Sequence, residues 1–470
     1  MKNDTSDGQR DKKTSIVILT HNGLDYTKTC VASIREYTTD PSTPYELIIV
    51  DNNSTDGTVE WLETQNDIKV IFNTENLGFP AGCNQGIRMA DPENDILLLN
   101  NDVIVTRNWL ANLKTALYSE ENIGATGAVT NCAAYWQEIA TPYNNNLDEM
   151  QDFAAKNNVS DMSKWERRLI LISFCMLIKR DALNIVGELD ERFFPGYYED
   201  DDYSYRLILG GFKLLLCFDV FIHHFGGATF KKDEKAFSNI IQINRKKFKT
   251  KWGFDSAYSG GIRTDVIGFI KRNRKVPLRV LEIGCACGAT LLKIKHLYKN
   301  AEVAGIELNA QSAKIAACLA DVRCADIEKT PLSFPAEHFD YIIAGDVLEH
   351  LYDPWKVLNE LKTYLKPAGR IIASIPNVMN YTVLFELING NWTYSDDGIL
   401  DRTHLRFFTL REITKMFEQA GYTDLEIDAT SFPDDPLQNE YLSVLTAITS
   451  KELEKQYVAA QYLVSAKKAV

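Results

Sequence analysis

The 470-residue sequence has no apolar run of membrane-spanning length. Its longest apolar stretch, Leu169 to Ile178, is broken by Ser173 and falls far short of the roughly 20 residues a membrane helix needs. A basic excess is also missing: 51 Lys and Arg face 64 Asp and Glu, a net charge of -13. That balance removes the global electrostatic footprint of a nucleic-acid binder, so no nucleic-acid partner is expected. Paired cysteines are absent too, since the 9 cysteines form no CxxC motif, which points to reduced thiols and a cytoplasmic setting. No apolar run follows Met1. The start, MKNDTSDGQRDKK, is polar and reads as a loose tail over 1–14 rather than a signal peptide. No repeat of solenoid length is visible.

What remains is average globular usage, 45% hydrophobic and 24% charged, in a chain too long for one ordinary core. Two α/β halves are legible. In the first, Ser15–Leu19, Leu47–Val50, Lys69–Phe72 and Ile96–Leu99 read as buried strands alternating with helices. Ser54 and Asp56 are good N-caps for a helix through Trp61. Such alternation predicts a mostly parallel sheet with ligands at the carboxyl ends of its strands. In the second half, Arg279–Ile283, Glu302–Ile306, Tyr341–Ala344 and Arg370–Ile375 repeat the pattern. The region between, with Gly260, Gly261 and the basic run Lys271, Arg272, Arg274 and Lys275, reads as a linker over 257–276 with a solvated surface. The expected division is a domain over 15–256, that linker, a domain over 277–450, and a C-terminal helix over 451–470. That helix rests on the spacing of Leu453, Tyr457, Ala460 and Leu463.

Polar residues end each strand of the first half. Asp51 follows LIIV and can accept hydrogen bonds from a base or sugar. The stretch Asn73–Gly86 (NTENLGFPAGCNQG) is rich in Asn and Gly, as a loop that lets backbone approach a ligand would be. Asn100 and Asp102 follow the next strand, and oxygen donors so spaced can hold a hard divalent cation. Glu199 to Asp202 crowd like charges, which raises at least one pKa. His223 and His224 are adjacent, so in an extended segment only one of them can face a given site.

The order of these features resembles the nucleotide-binding half of bacterial family 2 glycosyltransferases, whose fold is called GT-A. SIVILTHN, YELIIVDNNSTDGT, ENLGFPAGCNQGI and LLLNNDVIV carry the resemblance, which runs from about Ser15 to about Gly253. Tyr198 to Asp202 followed by Arg206 is similar to the family's ED motif, HHFGGAT to its late histidine motif, and FKTKWG to its usual end. The resemblance implies a nucleotide-sugar donor site from Thr20, Asn22, Asp51, Asn53, Asn76, Gly78, Asn84, Asn100 and Asn101. It implies a divalent metal, Mn or Mg, on Asp102 and His224, with His224 preferred for its spacing to Gly227 and Thr229. It makes Asp200 the catalytic base, with Glu199 and Asp202 beside it. Asn100 stands where the family often has Asp, which weakens the charge offered to the metal. Inverting sugar transfer requires a carboxylate to take the acceptor's proton and positive charge for the departing diphosphate.

In the second half, Val280–Ala289 (VLEIGCACGA) fails the dinucleotide fingerprint, because Ala286 and Ala289 fall where its later glycines belong. Glu282, placed before the turn, suits a cationic amino-acid ligand better than a pyrophosphate, which it would repel. Glu307 ends the next strand, where it can hold a ribose diol, and Asp326 closes the third unit. Cys285 and Cys287 lack the further ligands a zinc site needs. With FDYIIAGDVLEHLYDPW, LKPAGRIIASIPN and DRTHLRFFT, this half resembles class I S-adenosylmethionine-dependent methyltransferases from about Leu278 to Tyr422. The resemblance implies S-adenosyl-L-methionine on Glu282, Gly284, Cys285, Gly288, Glu307, Asp326 and Asp346. His350, beside Glu349, and His404 are candidate bases for a hydroxyl acceptor.

The expected fold is therefore α/β in two domains, an N-terminal GT-A domain and a C-terminal class I methyltransferase Rossmann-like domain. The expected function is inverting sugar transfer to a glycan or glycoprotein, followed by methylation of the product. Two other readings stay open: a glycosyltransferase with a methyltransferase-like scaffold, and a non-catalytic assembly protein that binds nucleotide sugar. An acceptor on a lipid carrier would bring the protein to a membrane surface as a peripheral contact.

Overall fold

The computed structural model describes residues 12–143, 146–226, 234–432 and 438–469. Its chain divides into two compact units, Met1–Gly261 and Ile262–Val470. Within the described residues no helix is long and apolar enough to cross a membrane.

The first unit is built on an eight-stranded sheet of order β3-β2-β1-β4-β8-β6-β9-β7. Strands β1 (Thr14–Thr20), β2 (Tyr45–Asp51), β3 (Ile68–Phe72) and β4 (Asp95–Asn100) are mutually parallel. Their apolar centres, such as Ile16, Ile18, Ile48, Ile49 and Leu97, are fully buried, as strands covered on both faces must be. Strand β5 (Val103–Ile104) follows β4 in the chain. Beyond β4 the sheet turns mixed. Strand β8 (Cys175–Ile178) runs antiparallel to both β4 and β6 (Ile123–Val129). Strand β9 (Lys213–Phe221) lies parallel to β6 and antiparallel to β7 (Trp165–Arg168). The expectation of a mostly parallel sheet thus holds for its first four strands and for the β6–β9 pair, while β8 and β7 run antiparallel to their neighbours.

Two local expectations change. The segment Asn73–Gly86 is not one loop, because Gly78–Met89 is a helix. Its glycines serve packing: a Cβ on Gly82 would meet Leu19 at 2.2 Å and one on Gly86 would meet Val17 at 2.4 Å. Glycine there lets the helix lie directly on β1. The helix Thr58–Glu63 has Gly57, not Asp56 or Ser54, at its N-cap; Asp56, one residue earlier, accepts from the backbone N–H of Thr58 at 3.2 Å. Ser54 does not cap it; its Oγ accepts from the backbone N–H of Asn22 at 2.7 Å, tying the β1 loop to the β2 loop.

The second unit holds a seven-stranded sheet of order β13-β12-β11-β14-β15-β17-β16. Strands β11 (Leu278–Ile283), β12 (Ala301–Glu307), β13 (Asp321–Cys324), β14 (Phe339–Gly345) and β15 (Leu365–Pro376) are parallel. The C-terminal segment departs from its expected helix. Only its start is helical, a 3-10 turn at Lys451–Leu453 and a short α-helix at Glu454–Val458, after which it forms strand β17 (Ala459–Lys468), which inserts antiparallel between β15 and β16 (Tyr422–Ser431). A strand covered on both faces reads as a continuous apolar run, which periodicity cannot separate from a buried helix. The presumed linker is also structural. Val266, Ile267 and Ile270 pack into the core of the second unit, Arg272 pairs with Asp340, and Lys271 pairs with Glu426.

Candidate functional sites

The first site forms where the parallel strands of the first unit end. Thr20 closes β1, and its Oγ1 contacts that of Thr27 at 3.0 Å, while Asn101 donates to both hydroxyls. Asp51 closes β2 and is fully buried. One of its oxygens accepts from the backbone N–H of Ser54 at 2.9 Å, and the other, Oδ1, has no hydrogen-bond partner among the described residues. A buried carboxylate oxygen left unpaired is costly, so a ligand donor has a ready place there. Asn22 and Asn53 both adopt positive φ, and Asn22 Oδ1 accepts from the backbone N–H of Thr55 at 2.8 Å.

At the end of β4, Asp102 meets β10 (His223–His224), which pairs antiparallel with β5. Asp102 Oδ1 lies 3.1 Å from His224 Nε2, and the Asn100 amide lies 3.4 Å from the same nitrogen. The other ring nitrogen, Nδ1, donates to the carbonyl of Cys132 at 2.9 Å. A carbonyl only accepts, so Nδ1 carries the proton of the neutral ring and Nε2 presents a lone pair. That lone pair faces a carboxylate oxygen, an arrangement that calls for a cation between them, either a proton or a metal ion. These residues fit a divalent cation. His223 turns away: its Nδ1 meets Tyr143 Oη at 2.9 Å in the interior. Gly227 and Thr229, which guided the choice between the histidines, lie outside the described residues.

The acidic run opens the helix Glu199–Leu209. Its four carboxylates have different fates. Asp202 is fully buried and bound to Arg206 at 2.8 Å, to the Trp252 indole at 2.9 Å and to Lys251. It is thus a structural anchor rather than a member of the reacting set. Asp201 accepts from Tyr135 Oη at 2.7 Å and from Ser256. Asp200 is partly exposed and accepts from the backbone N–H of Ser173 at 3.2 Å and from its hydroxyl. Burial pushes the Asp200 carboxyl up to about 7, against the opposing pull of the Ser173 hydrogen bonds. Burial, then the charge of Asp200, pushes Glu199 well above the carboxylate range, and its Oε2 has no hydrogen-bond partner among the described residues. Ser173 precedes Phe174, whose ring stacks on His224 at 5.4 Å. Two consecutive residues entering β8 therefore connect Asp200 to the Asp102–His224 pair.

Other expected donor residues serve the scaffold. Asn84 is buried, donating to the Leu189 carbonyl at 2.9 Å and to Glu191 at 3.0 Å, and accepting from the Leu189 N–H at 3.0 Å. Its amide is spent inside the protein and does not face a donor. Asn76 accepts from Asn52 and from the N–H of Gly78. A Cβ on Gly78 would meet Phe194 at 2.7 Å, so its glycine is needed for packing at φ +78.

In the second unit, Glu282 is the last residue but one of β11, with 5% exposure and an Oε2 that has no hydrogen-bond partner among the described residues. Burial pushes its carboxyl up to about 8, with Arg263 opposing. A cationic ligand would relieve both conditions. The turn that follows places Gly284 at φ +70, Ala286 at +47 and Gly288 at +87. Ala286 thus keeps the turn but holds a left-handed conformation that glycine would take without strain. Its N–H donates to Glu307 Oε2 at 2.8 Å, and the N–H of Asn309 donates to Oε1 at 2.7 Å, fixing Glu307 at the end of β12. The Cys285 thiol is buried under Gly305, where a Cβ would approach it at 2.5 Å, which leaves the backbone of this loop residue to meet a cofactor. Asp326 follows β13, held below its ordinary pKa first by the hydrogen bond from Lys329. Asp346 is half-buried and already engaged. It accepts from Ser374 Oγ at 2.7 Å and from Gln461, and pairs with Arg263.

Arg263 was missed because it sits in the segment read as linker, and Ser173 because it only looked like a break in an apolar run. Glu349, His350 and His404 converge, each offering a ligand atom within 4.8 Å of the others.

The Glycosyl transferase family 2 model matches residues 15–186, and a Methyltransferase domain model matches residues 258–427. The Ubiquinone biosynthesis O-methyltransferase of Idiomarina loihiensis is 28% identical over 189 residues, 39% of this chain and 73% of that protein. Among solved structures, a SAM dependent methyltransferase from Archaeoglobus fulgidus covers 47% of this chain and 99% of its own, at 19% identity and a TM-score of 0.34. The mannosyltransferase PcManGT from Pyrobaculum calidifontis, solved with GDP-Man and Mn2+, covers 49% of this chain and 60% of its own, at 20% identity and a TM-score of 0.36.

Proposed function

We propose that this chain, in which a family 2 glycosyltransferase domain is joined to a methyltransferase domain, transfers a sugar with inversion and then methylates an oxygen of the glycosylated product. The observation that carries the first activity is Asp200, a partly exposed carboxylate raised to about 7 and linked through Ser173 and Phe174 to the Asp102–His224 pair. A base poised near neutrality is ionised often enough to act and basic enough to take a proton. Asp51 Oδ1 accepts a hydrogen bond from the donor nucleoside. Asp102 and His224 hold a divalent cation, Mn or Mg, which when bound neutralises charge on the departing diphosphate. Asp200 takes the proton of the acceptor hydroxyl as its oxygen bonds to the anomeric carbon, opposite the bond that breaks.

In the second domain Glu282 receives the ammonium group of S-adenosyl-L-methionine, Glu307 its ribose diol and Asp326 its adenine. Arg263, held by Asp265 and Asp346, offers a cation to the carboxylate of the cofactor. When bound, the cofactor supplies an electrophilic methyl group. Oxygen is the preferred acceptor atom because similar proteins are O-methyltransferases. The acceptor is a glycan or glycoprotein, and tethering both domains raises the local concentration of the first product for the second reaction. Asp200→Ala tests the reading: it abolishes transfer while donor diphosphate binding persists. Undiminished transfer by that variant would overturn it, and methylation that ignores glycosylated product would remove the coupling.

A further inference from the structure

The Glu349–His350–His404 cluster is not required by any step above. Glu349 follows the end of β14 in a short turn, Leu348–His350, and is 1% exposed. Neither of its carboxylate oxygens has a hydrogen-bond partner among the described residues. Leaving two acceptor positions of one buried side chain unsatisfied is costly enough to require a partner. Two imidazoles stand next to it, with ring centroids 4.7 Å apart at 70° to each other.

Both rings are oriented by backbone. His404 Nδ1 donates to the carbonyl of Ile399 at 2.9 Å, and His350 Nδ1 lies 3.2 Å from the carbonyl of Thr403. Carbonyls only accept, so each Nδ1 holds the proton and each Nε2 presents a lone pair. This is how metal-binding histidines are fixed, by a hydrogen bond at the nitrogen that does not ligate. One ligand atom from each of the three residues lies within 4.8 Å of the others, yet Glu349 makes no hydrogen bond to either ring. Ligand bonds of roughly 2.0–2.2 Å at tetrahedral angles put donor atoms about 3.3–3.6 Å apart, so the three side chains close in by about 1 Å around an ion. Asp346 and Asp401 add negative charge nearby and Arg263 opposes it.

We propose that Glu349, His350 and His404 bind a divalent transition-metal ion of the zinc class in the methyltransferase domain, through one carboxylate oxygen and two Nε2 atoms. Two histidines and a carboxylate leave coordination positions open, and these take an oxygen of the methyl acceptor. Only this last clause rests on the methyl-transfer reading. Under it the histidines are ligands that orient the acceptor rather than bases.

The probe is Co2+, added to chelator-stripped full-length Asp102→Ala protein so that the first domain contributes no metal site. We expect a visible absorption band that saturates at one ion per chain and is displaced by Zn2+. His404→Ala and Glu349→Gln should weaken Co2+ binding at least about tenfold. S-adenosylhomocysteine binding, measured by calorimetry in the same variants, should persist and report an intact fold. Where His404→Ala loses its thermal transition, His350→Gln gives the same reading. No saturable band in the parent, or an unchanged band in both ligand variants, overturns the assignment. Failure of the parent to bind S-adenosylhomocysteine while Co2+ binds as expected would instead overturn the methyl-transfer reading and leave the metal site standing.

Discussion

His224 Nε2 lies 3.1 Å from Asp102 Oδ1 while Nδ1 of the same ring donates to the Cys132 carbonyl. With its proton fixed on the far side, the ring turns a lone pair toward a carboxylate, and a cation resolves the conflict. Replacing either residue should therefore remove metal-dependent diphosphate binding. Asp102→Ala and His224→Ala are each expected to lower transfer by roughly a hundredfold or more. Titrating the diphosphate with and without Mn2+ checks this, because only the wild-type protein should show a metal-dependent gain.

The pKa of Asp200, about 7, sets the pH dependence of transfer. A base must be unprotonated, so the rate should rise with pH and level off above about 7. Ser173 donates to the ionised carboxylate and thereby lowers its pKa. Ser173→Ala should accordingly move the rising limb to higher pH, read from kcat/KM across pH 5.5–9, about the range in which the limb must fall. The same shift carries a stability consequence. The folded protein holds a proton here that the unfolded chain has lost, so this group's contribution declines from about 4 to 7 as pH rises.

Asp200 and Asp202 should separate cleanly. Asp200→Asn keeps the fold and loses transfer. Asp202→Asn leaves Arg206 without its carboxylate partner and Lys251 with Asp190 alone, and should lower stability by about 3 kcal/mol, seen as a depressed denaturant midpoint. A variant at Asp202 with normal stability and no activity would reverse this assignment.

Glu282 predicts a pH-dependent cofactor affinity. Its carboxyl titrates at about 8, so below that value it must lose a proton to pair with an ammonium group. Affinity for S-adenosylhomocysteine should rise by up to about tenfold per pH unit until about pH 8. Calorimetry across that range would show the slope, and Glu282→Gln should flatten it.

Ala286 at φ +47 offers a stability test of the same loop. Ala286→Gly relieves the left-handed strain and should stabilise the second domain by about 1 kcal/mol, raising its thermal transition by a few degrees.

The strands and their order of appearance were legible because buried parallel strands are short, β-branched and bounded by polar residues. The positions of Asp51, Asp102, Asp200 and His224 at or near strand and helix ends were legible too, since sequence order alone locates them. What sequence order could not carry was the use of each polar group. Asn84 and Asp202 have the chemistry of ligand-binding residues, yet distant partners at Leu189 and Lys251 consume it. Strand β17 was concealed because its apolar residues satisfy a helical spacing as readily as a strand buried on both faces. Glycines 82 and 86 looked like a flexible loop because close helix–strand packing demands the same residue. Arg263 and Glu349 gained meaning only from neighbours that the fold supplies.

A thermal-shift panel tests the two-activity account most directly. It would pair uridine, guanosine and thymidine diphosphates, each with and without Mn2+, with a separate S-adenosylhomocysteine arm. A ligand at a hundred times its dissociation constant adds about 2.7 kcal/mol to the domain that binds it. The account predicts that one diphosphate stabilises the protein only with metal and that S-adenosylhomocysteine stabilises it independently. Stabilisation by the diphosphate alone would make the second domain a scaffold and contradict the account.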